Sequence, residues 1–158
     1  MINLFKKKKI NKNISAPING KCIDISEVKD KTFASKVMGD GIAVIPATDT
    51  VVSPCDGQIT MIFPTKHAFG LKMNDGKEVL VHIGIDTVNL NGKGFTTLRH
   101  KNEKVKAGEP VIKFDKATIE HEYDLTVMVV ITDDNKENAE KRKLHEVVKT
   151  NDIIMTFK

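Results

Sequence analysis

The sequence predicts an all-β fold, an antiparallel β-sandwich or barrel with a few short surface helices. Its apolar stretches are short and closely spaced, turn-forming Gly, Pro, Asn and Asp separate them, and two pairs of similar segments indicate internal duplication. With 158 residues, the chain has the length of one domain with a single core. Since 5% of the residues are aromatic and tryptophan is absent, we expect a core of Val, Ile and Leu.

Seven segments have the apolar composition and spacing of β-strands. They are residues 42–45, 51–52, 59–63, 79–85, 111–114, 125–131 and 153–157. Residues 133–148 are polar on most faces and follow possible capping residues, so we predict a surface helix there. Residues 26–37 are expected to hold another short helical turn.

The evidence for duplication is two pairs of similar segments. Residues 16–20 (Ala-Pro-Ile-Asn-Gly) resemble residues 53–57 (Ser-Pro-Cys-Asp-Gly), and residues 105–114 resemble residues 148–157. The second pair shares Val-Lys, a turn with Gly or Asn, an acidic residue and a strand, and Asn can replace Gly where a turn needs positive φ. Chance similarity of turn sequences is the alternative, but two pairs favour two related β-hairpin units packed as a sandwich.

The net charge of +4 comes from the N-terminus. Removing Lys6, Lys7, Lys8, Lys9 and Lys12 leaves 20 basic and 21 acidic residues, a net charge of −1. A nearly neutral body disfavours nucleic-acid binding. We favour a flexible, solubilising tail over residues 1–13, and weak contact of Lys6–Lys9 with an anionic membrane surface is the alternative.

Several classes of protein are disfavoured by simple patterns. No apolar run approaches the roughly 20 residues of a membrane-spanning helix, and the first basic residues follow the first apolar ones, the reverse of a signal peptide. We therefore predict a cytoplasmic protein, and a monomer. Cys22 and Cys55 are too few for a disulfide framework and lack metal-site spacing, so we expect reduced, structural thiols.

The predicted strand at residues 79–85 carries a histidine that points to chemistry. Period-two alternation predicts two faces, one with Val79, Val81, Ile83 and Ile85 and the other with Leu80, His82, Gly84 and Asp86. Gly84 is expected to leave room for a bulky group to approach the imidazole. This arrangement favours a nucleophile or ligand over a packing residue.

A second histidine, His67, shares a face with Phe63, Thr65 and Phe69 if this segment is extended. If neighbouring strands bring His67 beside His82, the two form a histidine pair in a shallow apolar depression. We interpret the other three histidines as structural or solvated, with His145 at the negative end of the predicted helix. These three are His100, His121 and His145.

Such a pair has three chemical interpretations. Zinc binding lacks an obvious third ligand and a His-Glu-x-x-His or His-x-His motif, while general acid–base catalysis stays open. In the third, one imidazole accepts a phosphoryl group and the other hydrogen bonds to its oxygens. Because a Gly-x-x-x-x-Gly-Lys-Ser/Thr loop is absent, the donor would be another phosphoprotein, which an apolar rim around the histidines could bind.

Residues 76–88 resemble the phosphorylation-site motif of the glucose-family IIA component of the bacterial phosphoenolpyruvate:sugar phosphotransferase system. That motif is Gly, two variable positions, three apolar residues, His, an apolar residue, Gly, an apolar residue, any residue, Thr, then Ala or Val. The segment fits it throughout. Residues 65–69 resemble the second-histidine segment of the family, and residues 33–34 with 39–43 its approach loop. The resemblance extends over roughly residues 14–158, which we expect to form a single IIA domain.

The resemblance implies a β-sandwich of the duplicated hybrid motif type with the two histidines adjacent. It implies that His82 accepts a phosphoryl group on Nε2 from the carrier HPr and passes it to a cysteine on the IIB domain of a sugar permease. His67 would stabilise the phosphoryl group, and Thr65 would belong to the hydrogen-bond network. The resemblance implies no intrinsic metal and no cofactor.

The resemblance also implies a partner-binding surface around the histidines. Its members are Asp30, Phe33, Val37, Met38, Phe63, Leu80, Asp86 and Val88. For the apolar members, the alternative is an ordinary half-buried place in the sandwich. Asp86 is the stronger candidate because it shares the predicted His82 face and can pair with a basic HPr surface.

Two other functions remain as alternatives. One is a binding or regulatory module that keeps the fold without turnover, although both histidines are present. The other is a biotinyl or lipoyl carrier domain, which needs a modified lysine at a hairpin tip. Lys116, between Asp115 and Ala117, is the nearest candidate, but its segment is charged.

Overall fold

The fold consists of three antiparallel sheets, seen in a computed structural model that describes residues 10–133 and 139–157. The strands are β1 Ile14–Ser15, β2 Gly20–Asp24, β3 Gly41–Pro46, β4 Thr50–Val52, β5 Gly57–Ile62, β6 Ala68–Met73, β7 Glu78–Ile83, β8 Phe95–Thr97, β9 Lys104–Val105, β10 Pro110–Phe114, β11 Val127–Ile131, β12 Ala139–Lys141, β13 Val147–Val148 and β14 Ile153–Phe157. The helices are α1 Lys31–Ala34 and α2 Lys116–Ile119, with 3₁₀ turns at Ile25–Glu27 and Thr87–Leu90.

One large sheet carries the functional region. Its strand order is β13-β2-β3-β11-β7-β6-β5-β9, and the smaller sheets have the orders β1-β14-β12 and β4-β10-β8. The main core joins residues of the large sheet, such as Val81 and Val129, to residues of the small sheets, such as Ile112 and Ile154. A second cluster holds Phe33 of α1 together with Met128 of β11. Alternate residues of β11 therefore enter different clusters, as the pleat of a strand requires.

The all-β prediction is confirmed, and each of the seven predicted segments overlaps an observed strand. The helical turns predicted within residues 26–37 are also present, as α1 and part of the Ile25–Glu27 turn. The strands that the sequence did not reveal are either two or three residues long or, like β6, interrupted by glycine and lysine. Short strands carry too few alternating positions to be recognised from a pattern.

The predicted duplication is visible in equivalent backbone hydrogen bonds. Ser15 N donates to Pro54 O at 2.7 Å, and Val52 N donates to Pro17 O at 2.8 Å. Residues 37 positions apart are equivalent in the two copies, so Ser15 corresponds to Val52 and Pro17 to Pro54. Each of these two hydrogen bonds is therefore the symmetry equivalent of the other. The two Pro-containing segments therefore pair with each other about a local pseudo-two-fold axis.

The second pair of similar segments, in which equivalent residues are 43 positions apart, makes equivalent hydrogen bonds to the first pair. Ala16 N donates to Asp152 O at 2.9 Å, and Ser53 N donates to Glu109 O at 2.8 Å. Gly108 and Asn151 occupy equivalent turn positions with φ values of 94° and 84°. The expectation that Asn replaces Gly at a left-handed position is therefore confirmed.

The helix predicted at residues 133–148 is wrong within its described part, while residues 134–138 lie outside the described residues. Residues 139–141 and 147–148 form β12 and β13 at sheet edges. This region is the second copy of residues 96–105, since His145 N donates to Cys22 O just as Asn102 N donates to Ile59 O, both at 2.7 Å. Short edge strands carry many charged residues, so their sequence looked like a solvated helix face.

The expectation for His145 changes with that correction. His145 does not end a helix but has a φ of 66° in a turn. Its Nε2 lies 2.8 Å from Oε1 of Glu27. The residue is exposed, so its role is a surface contact between this turn and the 3₁₀ turn Ile25–Glu27.

The cysteines have the structural character predicted for them. Cys22 and Cys55 are both buried and form no disulfide. Burial raises their pKa values to about 11 and about 12, so both are thiols at neutral pH. Among the described residues, no helix is long and apolar enough to cross a membrane.

The equivalent turns allow a test of the duplication at residue level. An alanine Cβ at Gly108 would lie 2.5 Å from Oδ1 of Asn151 and would also require a φ of 94°. We therefore expect Gly108→Ala to lower the free energy of unfolding by about 2 kcal/mol. In an Asn151→Gly background the loss should be smaller, because only the backbone strain remains. Urea denaturation of the four proteins measures this coupling, and equal losses in both backgrounds would exclude the predicted clash.

Candidate active site

The two histidines singled out in the sequence lie side by side. His82 on β7 is paired with Ala68 of β6 on one side and Met128 of β11 on the other. His67 directly precedes β6, and its carbonyl accepts a 2.7 Å hydrogen bond from Ile83 N. The two imidazole centroids are 4.8 Å apart with an interplanar angle of 85°.

Aromatic rings flank this histidine pair. Phe33 lies 4.9 Å from His82, and Phe63 lies 5.5 Å from His67, centroid to centroid. The row of four rings places an apolar group beside each imidazole. These contacts limit the access of water to both imidazoles, which strengthens electrostatic interactions there.

His82 is held as a neutral imidazole of one tautomer. Its Nδ1 lies 2.9 Å from the carbonyl oxygen of Gly84. Because that oxygen can only accept, Nδ1 carries the hydrogen and Nε2 keeps its lone pair. Burial, with a smaller effect from His67, lowers the pKa of His82 to about 4, although the Gly84 hydrogen bond, Asp30 and Asp86 oppose that shift.

His67 is the more enclosed of the two and is only 3% exposed. Its Nδ1 lies 2.7 Å from Oγ1 of Thr65. Burial lowers the pKa of His67, and a hydrogen bond with the Thr65 backbone partly offsets this. Both imidazoles therefore favour the neutral form at pH 7, so neither repels the other as a cation.

The prediction that Gly84 leaves room for a group to approach the imidazole is wrong. The glycine does not open space over the imidazole. It has a φ of 80°, and an added Cβ would lie 2.5 Å from Cγ2 of Thr87 and 2.9 Å from the carbonyl oxygen of Asp124. Glycine is needed here because the backbone turns left-handed in a crowded place.

This turn also ends the predicted alternation. Val79, Val81 and Ile83 enter the main core, as expected from the pattern. The strand stops at Ile83, and Ile85 packs with Leu80 against the second cluster instead of sharing the Val79 face. The left-handed Gly84 reverses the face on which the following residue lies, which a period-two pattern cannot foresee.

The segment around His67 is a turn and not the extended strand considered in the sequence analysis. Residues 64–67 form turns and bends, with Lys66 at a φ of 59°. Phe63 and Thr65 do reach His67, as reported above. Phe69 is fully buried in the main core and does not join them.

The two acidic residues of the predicted partner surface differ in their local contacts. Asp30 caps α1, since its Oδ1 accepts hydrogen bonds from the backbone N–H groups of Thr32 at 2.8 Å and Phe33 at 3.4 Å. It thereby fixes the helix that presents Phe33 to His82. Asp86 is exposed at a φ of 61°, and its side chain makes no capping hydrogen bond.

The apolar residues of that surface divide by exposure. Val37, Met38 and Val88 are 75%, 37% and 46% exposed, whereas Phe63 and Leu80 are half-buried. Exposed apolar groups of this size on short helices and turns are typical of contact surfaces. Their alternative interpretation as half-buried sandwich residues does not fit Val37 or Val88.

Two chemical alternatives find no support in the described part of the chain. Within residues 10–133 and 139–157, there is no group of three side chains that could hold a metal ion. Lys116 begins α2 and forms an ion pair with Glu120 at 3.0 Å. It is not at a hairpin tip, the position that a biotinyl or lipoyl lysine requires.

Two buried threonines near His82 were not identified from the sequence as site residues. Thr87 is fully buried and donates from Oγ1 to the Ile83 carbonyl at 2.5 Å. Thr126 is 4% exposed, and its carbonyl accepts a hydrogen bond from Gly84 N at 2.9 Å. Thr87 belongs to the motif of residues 76–88 and could have been noticed there, whereas Thr126 carries no local signal.

This arrangement of strands is shared with a known protein. The structure superimposes on the glucose permease IIA from Mycoplasma capricolum with a TM-score of 0.83 and 32% sequence identity, covering 94% of this chain and 96% of that one. Residues 12–137 match the family described as phosphoenolpyruvate-dependent sugar phosphotransferase system, EIIA 1. The chain belongs to this family of EIIA components.

Curated relatives include both separate and multidomain proteins. The chain is 44% identical over 133 residues to the glucose-specific EIIA component of Borreliella burgdorferi, covering 84% of this chain and 70% of that protein. It is 48% identical over 128 residues to a glucoside-specific EIICBA component of Staphylococcus carnosus, covering 80% of this chain. It is 45% identical over 143 residues to a glucose-specific EIICBA component of the same species, covering 90% of this chain. The chain spans 18% and 21% of the lengths of these two EIICBA proteins.

The environment of His82 gives a measurable titration. Its folded-state pKa of about 4 lies below the value near 6.5 of an unfolded histidine. Protons then bind preferentially to the unfolded state. Protonation of His82 should therefore lower the free energy of unfolding by about 3 kcal/mol as the pH falls from 7 to 4. We expect the imidazole C–H resonance of His82 to titrate with a midpoint near 4 in NMR spectra. A midpoint near 6.5 would contradict the burial and contacts described here.

Proposed function

We propose that this EIIA-family chain is a phosphoryl carrier that accepts a phosphoryl group from histidine-phosphorylated HPr on Nε2 of His82. It then donates the group to a cysteine on the IIB domain of a sugar permease during sugar uptake. The proposal is supported chiefly by the Nδ1–Gly84 hydrogen bond, which leaves the lone pair of a neutral imidazole on Nε2. A phosphohistidine on His82 is thus the intermediate between the two partners.

In the acceptance step, the Nε2 lone pair of His82 attacks phosphorus while the nitrogen–phosphorus bond of phospho-HPr breaks. The electron pair of that bond returns to the imidazole of HPr. In the donation step, a cysteine thiolate attacks phosphorus, and the electron pair of the broken bond returns to Nε2. Each step exchanges one bond to phosphorus for another, so the protein contributes mainly positioning and charge stabilisation.

His67 is the residue that stabilises the transferred group. The phosphoryl group carries about −1.5 to −2 charges at neutral pH, and the adjacent imidazole is the nearest ring to His82 on its β6 side. We propose that Nδ1 of His67 stays hydrogen bonded to Thr65 while its Nε2–H donates to a phosphoryl oxygen. A hydrogen bond in this sheltered place is stronger than it would be in water.

Docking of HPr and IIB needs a surface around the histidines rather than a deep pocket. We propose that Val37, Met38 and Val88 supply exposed apolar contacts, and that Asp86 pairs with basic residues of the partner. Asp30 and Phe33 contribute through the position of α1. Since both partners must reach the same Nε2 atom, they bind overlapping surfaces in turn.

The carrier role defines the remaining expectations for this chain. Residues 14–158 act as one IIA domain in the cytoplasm, as a monomer and without a cofactor, metal or nucleic acid. The glucose-specific and glucoside-specific relatives described above support sugar uptake as the context. The N-terminal lysines Lys6–Lys9 lie outside the described residues, and we propose that they make at most weak contact with an anionic membrane surface.

The division of labour between the histidines can be tested with two substitutions. We expect His82→Gln to abolish labelling from phosphoenolpyruvate, Enzyme I and HPr, because the attacking atom is removed. We expect His67→Gln to accept at a rate within about tenfold of wild type but to donate to IIB more than about 100-fold more slowly. The measurements are ³²P labelling of the chain and single-turnover transfer to a purified IIB domain.

A matched control is His121→Gln, which changes an exposed histidine outside this site and should behave as wild type in both steps. Normal donation by His67→Gln would contradict the stabilising role of His67. Absence of label on the wild-type chain, with HPr shown to be charged, would instead favour a binding or regulatory module.

A further inference from the structure

The peptide group before Gly84 is hydrogen bonded at both of its ends. The carbonyl oxygen of Ile83 accepts from Oγ1 of Thr87 at 2.5 Å. The N–H of Gly84 donates to the carbonyl oxygen of Thr126 at 2.9 Å. This peptide plane therefore cannot rotate without breaking two hydrogen bonds in a buried place.

The peptide group after Gly84 is held in the same way. Its oxygen accepts from Nδ1 of His82, and its N–H, on Ile85, donates to the Asp124 carbonyl at 2.9 Å. The segment before β11 that supplies these carbonyls is itself fixed, because Asp124 Oδ1 accepts from both N and Oγ1 of Thr126 at 2.9 and 2.6 Å. The direction of the Gly84 carbonyl is thus set by a closed set of hydrogen bonds.

Thr87 contributes to this arrangement through both branches of its side chain. Its hydroxyl holds the Ile83 carbonyl, and its Cγ2 methyl group occupies the space that a Cβ at Gly84 would need. The side chain is fully buried, so its hydroxyl has no competing water. A residue whose purpose was only to fill space would not need a hydroxyl group.

We infer that Thr87 is a positioning residue for phosphoryl acceptance, acting through the Gly84 carbonyl to hold His82 in the Nδ1–H tautomer. The inference rests on the proposed function, because only an unprotonated Nε2 can attack phosphorus. Without the hydroxyl, the Ile83–Gly84 peptide loses one of its two restraints, and the Gly84 oxygen is held less firmly in the direction of Nδ1. His82 then divides between two tautomers, and the reactive fraction falls.

The test compares Thr87→Ser, which keeps the hydroxyl, with Thr87→Ala and Thr87→Val, which lose it. The ¹⁵N chemical shifts of His82 at pH 7 report the tautomer, and quenched-flow labelling by phospho-HPr reports the acceptance rate. We expect Thr87→Ser to keep the wild-type tautomer and rate. Thr87→Ala and Thr87→Val should show a mixture of tautomers and an acceptance rate lower by about tenfold.

The matched control is Thr50→Val, which removes a threonine hydroxyl at the start of β4 that donates to Oδ1 of Asp49 at 3.1 Å. It should change neither measurement. Loss of stability alone would not alter the tautomer of the folded protein, so the ¹⁵N shifts separate positioning from packing. Because Ser and Ala differ only in the hydroxyl, comparing Thr87→Ser with Thr87→Ala shows whether the hydroxyl sets the His82 tautomer, even if Thr87→Val does not fold.

The outcomes for the two proposals are distinguishable. If Thr87→Ala keeps the wild-type tautomer while wild type accepts a phosphoryl group, the positioning role is wrong and the carrier function stands. If wild type is not labelled at all, the carrier function fails, and the ¹⁵N shifts still decide whether Thr87 sets the tautomer. A tautomer shift in Thr87→Ala without a slower acceptance would overturn the link between tautomer and transfer.

Discussion

The hydrogen bond from Nδ1 of His82 to the Gly84 carbonyl is the interaction on which the site depends. It determines which imidazole nitrogen is nucleophilic, and it exists only because the chain turns left-handed at residue 84. That turn requires glycine, and it lies against the buried side chain of Thr87 and the segment 124–126 that precedes β11. The geometry around one imidazole nitrogen therefore depends on the backbone of several residues.

The site is also a departure from the symmetry of the fold. In the central strands β7 and β11, Ile83 N donates to the His67 carbonyl at 2.7 Å, and in the equivalent place Ile131 N donates to the Asp40 carbonyl at 2.9 Å. The position equivalent to His82 is Val130, which is fully buried in the second cluster. A duplicated framework thus supplies two similar strand ends, and only one carries the histidine pair.

Burial gives this surface its chemical character. An ordinary imidazole is partly protonated near neutral pH, whereas the aromatic neighbours of the pair and its place in the sheet favour the neutral form. In the carrier role that we propose, the same partial dryness would strengthen hydrogen bonds to an incoming phosphoryl group. That role also requires two protein partners to reach Nε2 in turn, which a deep pocket would prevent.

The sequence was sufficient for the features that depend on local alternation and turn chemistry. The all-β class, the strand carrying His82 and the left-handed Asn151 followed from such patterns. Features that depend on tertiary contacts did not. The sequence of the edge strands β12 and β13 favours a surface helix because charged edges lack an apolar stripe. Period-two alternation places Ile85 on the wrong face because the left-handed Gly84 changes the face on which the next residue lies.

One signal in the sequence argues against the helix predicted at residues 133–148. The similarity between residues 105–114 and 148–157 continues backwards, with Arg99 and Glu103 matched by Arg142 and Glu146 at the same separation of 43. The proximity of His67 to His82 could not be predicted from local sequence, because it depends on the pairing of β6 with β7. Periodicity makes such pairing plausible but cannot fix its register.

The most direct test of the account is to identify the phosphorylated nitrogen. ³¹P–¹⁵N correlation NMR of the ¹⁵N-histidine-labelled chain, charged through Enzyme I and HPr, reads that atom without any substitution. The account predicts one phosphoryl group, on Nε2 of His82, with Nδ1 still protonated and hydrogen bonded. A phosphoryl group on Nδ1, or on His67, would contradict it, because the Gly84 carbonyl would then not determine which nitrogen reacts.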